Sequence, residues 1–166
     1  MFSMPFIYHL APSNMKGNTL YPVSILKSKF PNIYRKEIPK TRIPYLNCKW
    51  GDVLQFIAVH PSKIRKALRK AGFKNKVKLK RYKINANNLV NKNTIIYSYK
   101  DETLKRNNFV KYDLRKLSQY NKLAEKTKKY YSEEFKNGRR PLFFVFVPHI
   151  LYKDCLNIKN AEIIEI

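Results

Sequence analysis

The sequence predicts an α+β fold: a single domain over residues 1–166 in which a mixed or antiparallel sheet carries flanking helices. Three observations support this. Apolar runs of strand length stand near both ends and in the middle of the chain, with helical periodicities placed irregularly between them. The chain is 44% hydrophobic and 14% aromatic, with 12 Tyr and 10 Phe, so it holds the material for a core. No internal repeat, low-complexity tract or linker divides it.

The elements follow in order. Residues 4–10 (Met-Pro-Phe-Ile-Tyr-His-Leu) form a short apolar run closed by the loop signal Ala11-Pro12-Ser13-Asn14, which predicts a first strand. Residues 22–30 place Val23, Leu26 and Phe30 at helical spacing before Pro31 stops the helix. A segment punctuated by Pro31, Pro39 and Pro44 follows, bounding Ile33-Tyr34 and Lys40-Thr41-Arg42. Residues 52–59 carry apolar side chains on both alternating faces, the pattern of a buried strand. Residues 60–72 predict a helix with Pro61 at its first position and Gly72 just past its end; Ile64, Ala67, Leu68 and Ala71 make one apolar stripe. Residues 77–84 and 94–99 read as strands. Residues 113–138 read as a helix in two pieces, with Tyr120, Leu123, Thr127, Tyr131 and Phe135 on one face. The wholly apolar run 142–147 predicts a core strand, and residues 161–166 a closing one.

The charge is extreme and unevenly spread. Against 35 Lys and Arg stand 11 Asp and Glu, a net charge of +24. No carboxylate occurs between Asp52 and Asp101. Within that stretch, residues 63–83 hold eleven basic residues: Lys63, Arg65, Lys66, Arg69, Lys70, Lys74, Lys76, Lys78, Lys80, Arg81 and Lys83. A solvated helix face ordinarily mixes signs, because like charges at i,i+4 oppose one another. Lys76, Lys78 and Lys80 alternate, so a strand would project them from one face. A second cluster comprises Lys126, Lys128 and Lys129, with Arg139 and Arg140 beyond. The partner such a surface fits is a polyanion, whose counterions are released as Lys and Arg replace them. An AT-rich genome also raises Lys, Asn, Ile and Tyr without any function, and an anionic membrane surface is a third reading. Tyr82, Phe73, Tyr97 and Tyr99 near the basic stretch are candidates to stack on bases, with core packing as the alternative.

Several chemistries are excluded. With 4 Gly there is no Gly-rich phosphate loop, and no run approaches the length of a membrane-spanning helix. No nucleophile elbow occurs. His9, His60 and His149 lie far in sequence from one another and from Cys48 and Cys155, so no metal site is expected. His60 before Pro61 reads as a helix cap, and His149 after Pro148 as a turn residue. Two cysteines predict buried reduced thiols in an intracellular, cytoplasmic setting, and the N-terminus lacks the basic region and cleavage site of a signal peptide.

Two resemblances extend this reading. The motifs Tyr8-His9, Leu20-Tyr21-Pro22, Ile43-Pro44-Tyr45-Leu46-Asn47-Cys48-Lys49-Trp50-Gly51-Asp52-Val53, His60-Pro61 and Pro148-His149-Ile150-Leu151-Tyr152-Lys153 resemble, across nearly the whole chain, an uncharacterised bacterial group. That likeness brings no activity. The opening Ile7-Tyr8-His9-Leu10 strand, Gly51-Asp52-Val53-Leu54-Gln55-Phe56 up to Pro61, and Ile95-Ile96-Tyr97 resemble DarT-type ADP-ribosyltransferases over about half the chain. This second resemblance implies an ADP-ribosyltransferase-like fold acting on nucleic acid with NAD as cofactor. His9 would contact the NAD ribose, Tyr97 (or Tyr21) would stack on nicotinamide, and Arg42 would be the catalytic arginine. The family's glutamate, which serves the cationic transition state from a late strand, has no counterpart in residues 142–147. Two functions are therefore expected in competition. One is a non-catalytic RNA-binding component of a ribonucleoprotein such as a ribosome, with RNA favoured over DNA. The other is an NAD-dependent transferase modifying nucleic acid.

Overall fold

Every strand pairing in the computed structural model is antiparallel, so the fold is α+β of the antiparallel kind. The structure describes residues 4–12, 16–31, 37 and 40–166. Ser13, Asn14, Ile33, Tyr34 and Pro39, and with them parts of the expected first loop and of the proline-punctuated segment, lie outside the described residues. In chain order the strands are β1 (Phe6–Leu10), β2 (Thr19–Leu20), β3 (Arg42–Ile43), β4 (Cys48–Lys49), β5 (Leu54–Phe56), β6 (Lys80–Asn85), β7 (Thr94–Tyr97), β8 (Phe109–Lys111), β9 (His149–Tyr152), β10 (Leu156–Asn157) and β11 (Glu162–Glu165). The helices are α1 (Val23–Lys29), α2 (Pro61–Ala71) and α3 (Glu125–Lys136).

Two sheets form most of the scaffold, in the orders β1-β6-β11 and β5-β9-β7-β8. One bridge joins them: Tyr8 N–H donates to Ile57 O at 2.8 Å, and Ile57 N–H to Tyr8 O at 3.1 Å. Side chains on both faces of this surface are buried, because helices and loops cover each. Ile7, Phe56, Ile96 and Ile150 enter one cluster. Their strand neighbours Tyr8 and Ile57 enter a second, under α2 and α3, while Ile95, Tyr97 and Leu151 enter a third. The period of two thus partitions each strand between cores, which explains why these segments read as continuous apolar runs.

The α2 helix forms as its sequence dictates. His60 caps it, its Nδ1 accepting the Ser62 backbone N–H at 3.2 Å, and Pro61 occupies a position where no intrahelical N–H is needed. At the other end Gly72 sits at φ +121°, with its N–H on Arg69 O and the Phe73 N–H on Leu68 O at 2.9 Å. That is a Schellman-type closure, which a Cβ would strain. Ile64 and Leu68 are buried against Tyr131 of α3.

The expected roles of residues 142–147 and of His149 need correction. The apolar run 142–147 is a turn region, not a strand: Val147 N–H returns to Phe144 O, Phe146 has φ +59°, and Leu142 is 70% exposed. Pro141 and Pro148 lack the N–H groups a ladder needs, and the phenyl rings are held instead by α3 and Phe73. The strand begins at His149, so this histidine opens β9 in the middle of a sheet and is no turn residue. Residues 113–138 do fall in two helical pieces, as expected: a 3-10 stretch (Leu114–Tyr120) and α3. The apolar side of α1 is not buried; Val23 and Phe30 remain largely exposed.

Candidate nucleic-acid interface

The basic residues singled out by sequence fall into three groups with different physical states. Lys66, Arg69 and Lys70 stand exposed on α2, and Lys74 and Lys76 on the extended segment after it; among the described residues none meets a carboxylate. Lys63 is exposed and donates from Nζ to Asn121 O at 3.1 Å. A second group is already matched. Lys78 and Lys80 share Glu165 at 3.8 and 3.6 Å, and Lys83 pairs with Glu162 at 2.7 Å while lying over the Phe6 ring. The closing strand, remote in sequence, supplies these acids by pairing with β6.

A third group holds the fold together. The Arg65 guanidinium donates to the main-chain oxygens of Val77 (2.8 Å), Asn75 (3.3 Å) and Ile166 (2.5 Å), tying α2 to the segment beyond it. Arg81 is 6% exposed in the layer between α2 and the sheet, and burial pushes its guanidinium below its ordinary pKa. Arg65 and Arg81 are thus structural and add little to an exposed field. Nor do Lys76, Lys78 and Lys80 share one regular strand face, since β6 starts only at Lys80.

The unmatched side of α2 borders a groove of about 620 Å³ between α2 and α3. Ala67 and Ala71 from α2 and Ser132 from α3 keep its floor small, and Lys70, Lys126, Lys128 and Lys129 line it. Glu125 also lines the groove, but it is paired with Lys128 at 2.5 Å. Lys129 pairs with Glu133 at 3.9 Å. Lys126 donates to Lys100 O at 3.0 Å, and its ammonium stands 4.0 Å from the centre of the Phe146 ring. The second basic cluster of the sequence therefore joins the first across a single groove. Arg69 and Lys70 in the last turn of α2 also complement the helix dipole, so part of this charge density is tolerated locally.

A larger cavity, about 700 Å³, opens beside the turn at residues 143–146. Trp50, Tyr97, Tyr99, Phe143, Phe144 and His149 form its aromatic lining, and Glu102 and Arg140 are its charged members. Tyr97 is 3% exposed and fixed through its hydroxyl, which donates to Thr103 O at 3.1 Å; burial foremost pushes its pKa up to about 12. Tyr99 and Phe146 both sit in the left-handed backbone region, at φ +52° and +59°, and their rings meet at 5.5 Å. Two bulky residues held in that region are uncommon and mark a locally over-determined structure. His149 packs its ring 5.9 Å from Tyr99 and 6.3 Å from both Tyr97 and Phe144. Burial lowers its pKa to about 4, against the opposing pull of the Val147 carbonyl. Its Nδ1 is buried and meets no hydrogen bond of good geometry among the described residues.

The residues implied by the transferase resemblance do not come together. His9 lies in β1, its Nδ1 2.8 Å from Gln55 O and its ring against Phe56, and burial lowers its pKa. Arg42 is exposed in β3, opposite Lys49. Tyr97 lines the large cavity; His9 and Arg42 do not. Glu162 and Glu165 face lysines, as above. Among the described residues no three His, Cys, Asp or Glu side chains gather as a metal site requires. Cys48 and Cys155 are free, as expected, but only half-buried, and desolvation raises both thiol pKa values. No helix among the described residues is long and apolar enough to cross a membrane.

Sequence reasoning found the groove's lysines as two separate clusters but missed the cavity. Its signal was present in the Tyr97–Tyr99 alternation and in the single Trp of the chain. What joins them to the 143–146 turn is tertiary. Comparison of the chain with known protein families, with curated proteins and with solved structures finds no match.

Proposed function

We propose that this protein binds nucleic acid through the α2–α3 face, as a non-catalytic RNA-binding component of a ribonucleoprotein. One observation carries the reading. Most of the described carboxylates are spent on other lysines and arginines or on local hydrogen bonds, Glu102 at the large cavity being an exception, while Lys66, Arg69, Lys70, Lys74 and Lys76 meet none among the described residues. A solvated face without function has no reason to segregate its counter-charges in this way, and a phosphodiester backbone supplies what is missing. The groove between α2 and α3 gives the backbone a track, and no base-reading helix or motif accompanies it, so affinity is largely independent of sequence. Two free thiols fit a reducing, intracellular compartment.

The test is fluorescence anisotropy with labelled single-stranded RNA and DNA of unrelated sequences. Comparable binding to all, competed by any of them and weakening with salt, supports the reading. Absence of binding at low salt refutes it.

A further inference from the structure

We propose that the cavity lined by Trp50, Tyr99 and His149 takes an unstacked nucleobase from a single strand whose phosphates lie along the α2–α3 groove. The proposal rests on the nucleic-acid reading above and adds to it a second, base-directed site. Four observations support it.

The first is size and lining. A volume of about 700 Å³ lies within the range of small-molecule sites, and the lining is largely apolar, with Trp50, Tyr97, Tyr99, Phe143, Phe144 and His149 as its aromatic members. Bases taken out of a stack are held on aromatic faces, and every base offers a π face, so such a pocket suits a protein without a base-reading helix.

The second is continuity with the groove. Lys126 lines the groove and lies over Phe146, whose ring packs on Tyr99 of the cavity wall. Arg140, itself in the cavity wall, lies 5.7 Å from the ring centres of Phe73 and Phe143. Cations therefore flank the route from groove to cavity, as a phosphate backbone delivering a base would need.

The third is polarity. His149 is neutral at physiological pH, so one ring nitrogen donates and the other accepts. Its buried Nδ1 makes no hydrogen bond of good geometry among the described residues, a state that costs free energy unless relieved. Glu102 at the exposed rim has no salt-bridge partner among the described residues, and it can accept from a base amino or imino group.

The fourth is backbone strain. Tyr99, in the cavity wall, and Phe146, whose ring packs on it, both hold left-handed conformations. Such conformations persist where surrounding structure enforces them, and they concentrate at binding sites.

Trp50 is the only tryptophan, so its emission reports on this cavity alone. The experiment titrates the protein with a short single-stranded oligoribonucleotide and with an abasic strand of equal length, which keeps the phosphates and lacks the bases. The intact strand is expected to quench Trp50 and to bind about 5- to 150-fold more tightly, the span that base–aromatic stacking gives. The abasic strand should bind without quenching. Tyr99→Ala should reduce the difference between the strands, with folding checked by circular dichroism. Thr41→Tyr, placed at an exposed lining position, should do the same by filling the mouth even if the first variant folds poorly. Equal affinity for both strands with unchanged Trp50 emission overturns the base pocket and leaves the groove reading standing. Failure of both strands to bind overturns both.

Discussion

Replacing Lys66, Arg69 and Lys70 together by alanine separates a phosphate-binding face from a merely basic one. These three residues stand at i, i+3 and i+4 of α2, so they share one exposed face of the helix. If each contacts one phosphate of a single strand, the slope of log K against log salt should shrink by about 2, since each contact contributes about 0.7. Stability should barely move. Relief of like-charge repulsion contributes a few tenths of a kcal/mol per pair, and loss of the dipole interaction of Arg69 and Lys70 costs about 0.3–1 kcal/mol each, so the two effects largely offset. The control is Lys78→Ala with Lys80→Ala, which removes two lysines that already share Glu165. Their charge is partly cancelled in the free protein, so the slope should change by less than about 1. Anisotropy across a salt series, with urea unfolding on the same variants, reads both quantities. Equal slope changes in the two variants, or a larger one in the control, would refute the assignment of the binding face.

The remaining predictions concern the scaffold. Leu68→Ala should cost about 2–5 kcal/mol in urea unfolding, because Leu68 is 2% exposed on the inner face of α2; an unchanged midpoint would mean the stripe is not packed. Arg65→Ala should lower the unfolding midpoint more than Lys66→Ala does, since Arg65 holds three main-chain oxygens and Lys66 none. His149 has a folded pKa of about 4 against an ordinary 6.5, so the unfolded chain binds its proton first. Its contribution to stability is therefore intact above about pH 6.5 and lost as the pH falls toward 4, up to about 3 kcal/mol, with buried His9 acting in the same direction. His149→Gln should flatten that acid limb; an unaltered pH dependence would contradict the burial argument. Cys48 and Cys155 should label slowly with a thiol reagent at neutral pH and faster in alkali or urea, because desolvation raises both thiol pKa values.

Where local chemistry decided the outcome, the sequence was legible. The α2 helix carries its own start, stripe and stop in Pro61, Ile64, Leu68 and Gly72, and its range in the structure is Pro61–Ala71. The ends of β1 and β11 were similarly readable from short apolar runs and loop residues. The run 142–147 was not, because an apolar segment reports burial and says nothing of the backbone that achieves it. Phe143, Phe144 and Phe146 are held by Phe73, Tyr99, Tyr130 and His149, from four separate parts of the chain. Charge behaved in the same way. Arg65, Arg81 and Lys83 look equivalent to Lys66 and Arg69 in sequence, and differ only because β11 and the chain around Val77 return to meet them.

The most direct measurement is equilibrium binding of mixed-sequence single-stranded RNA to the purified protein, freed of carried-over nucleic acid at high salt, over a series of salt concentrations. Binding at low salt, with a linear fall in log affinity as log salt rises and a slope of about −3 or steeper, is expected from five unmatched cations in phosphate contact. No binding at the lowest salt, or an affinity indifferent to salt, would contradict the account.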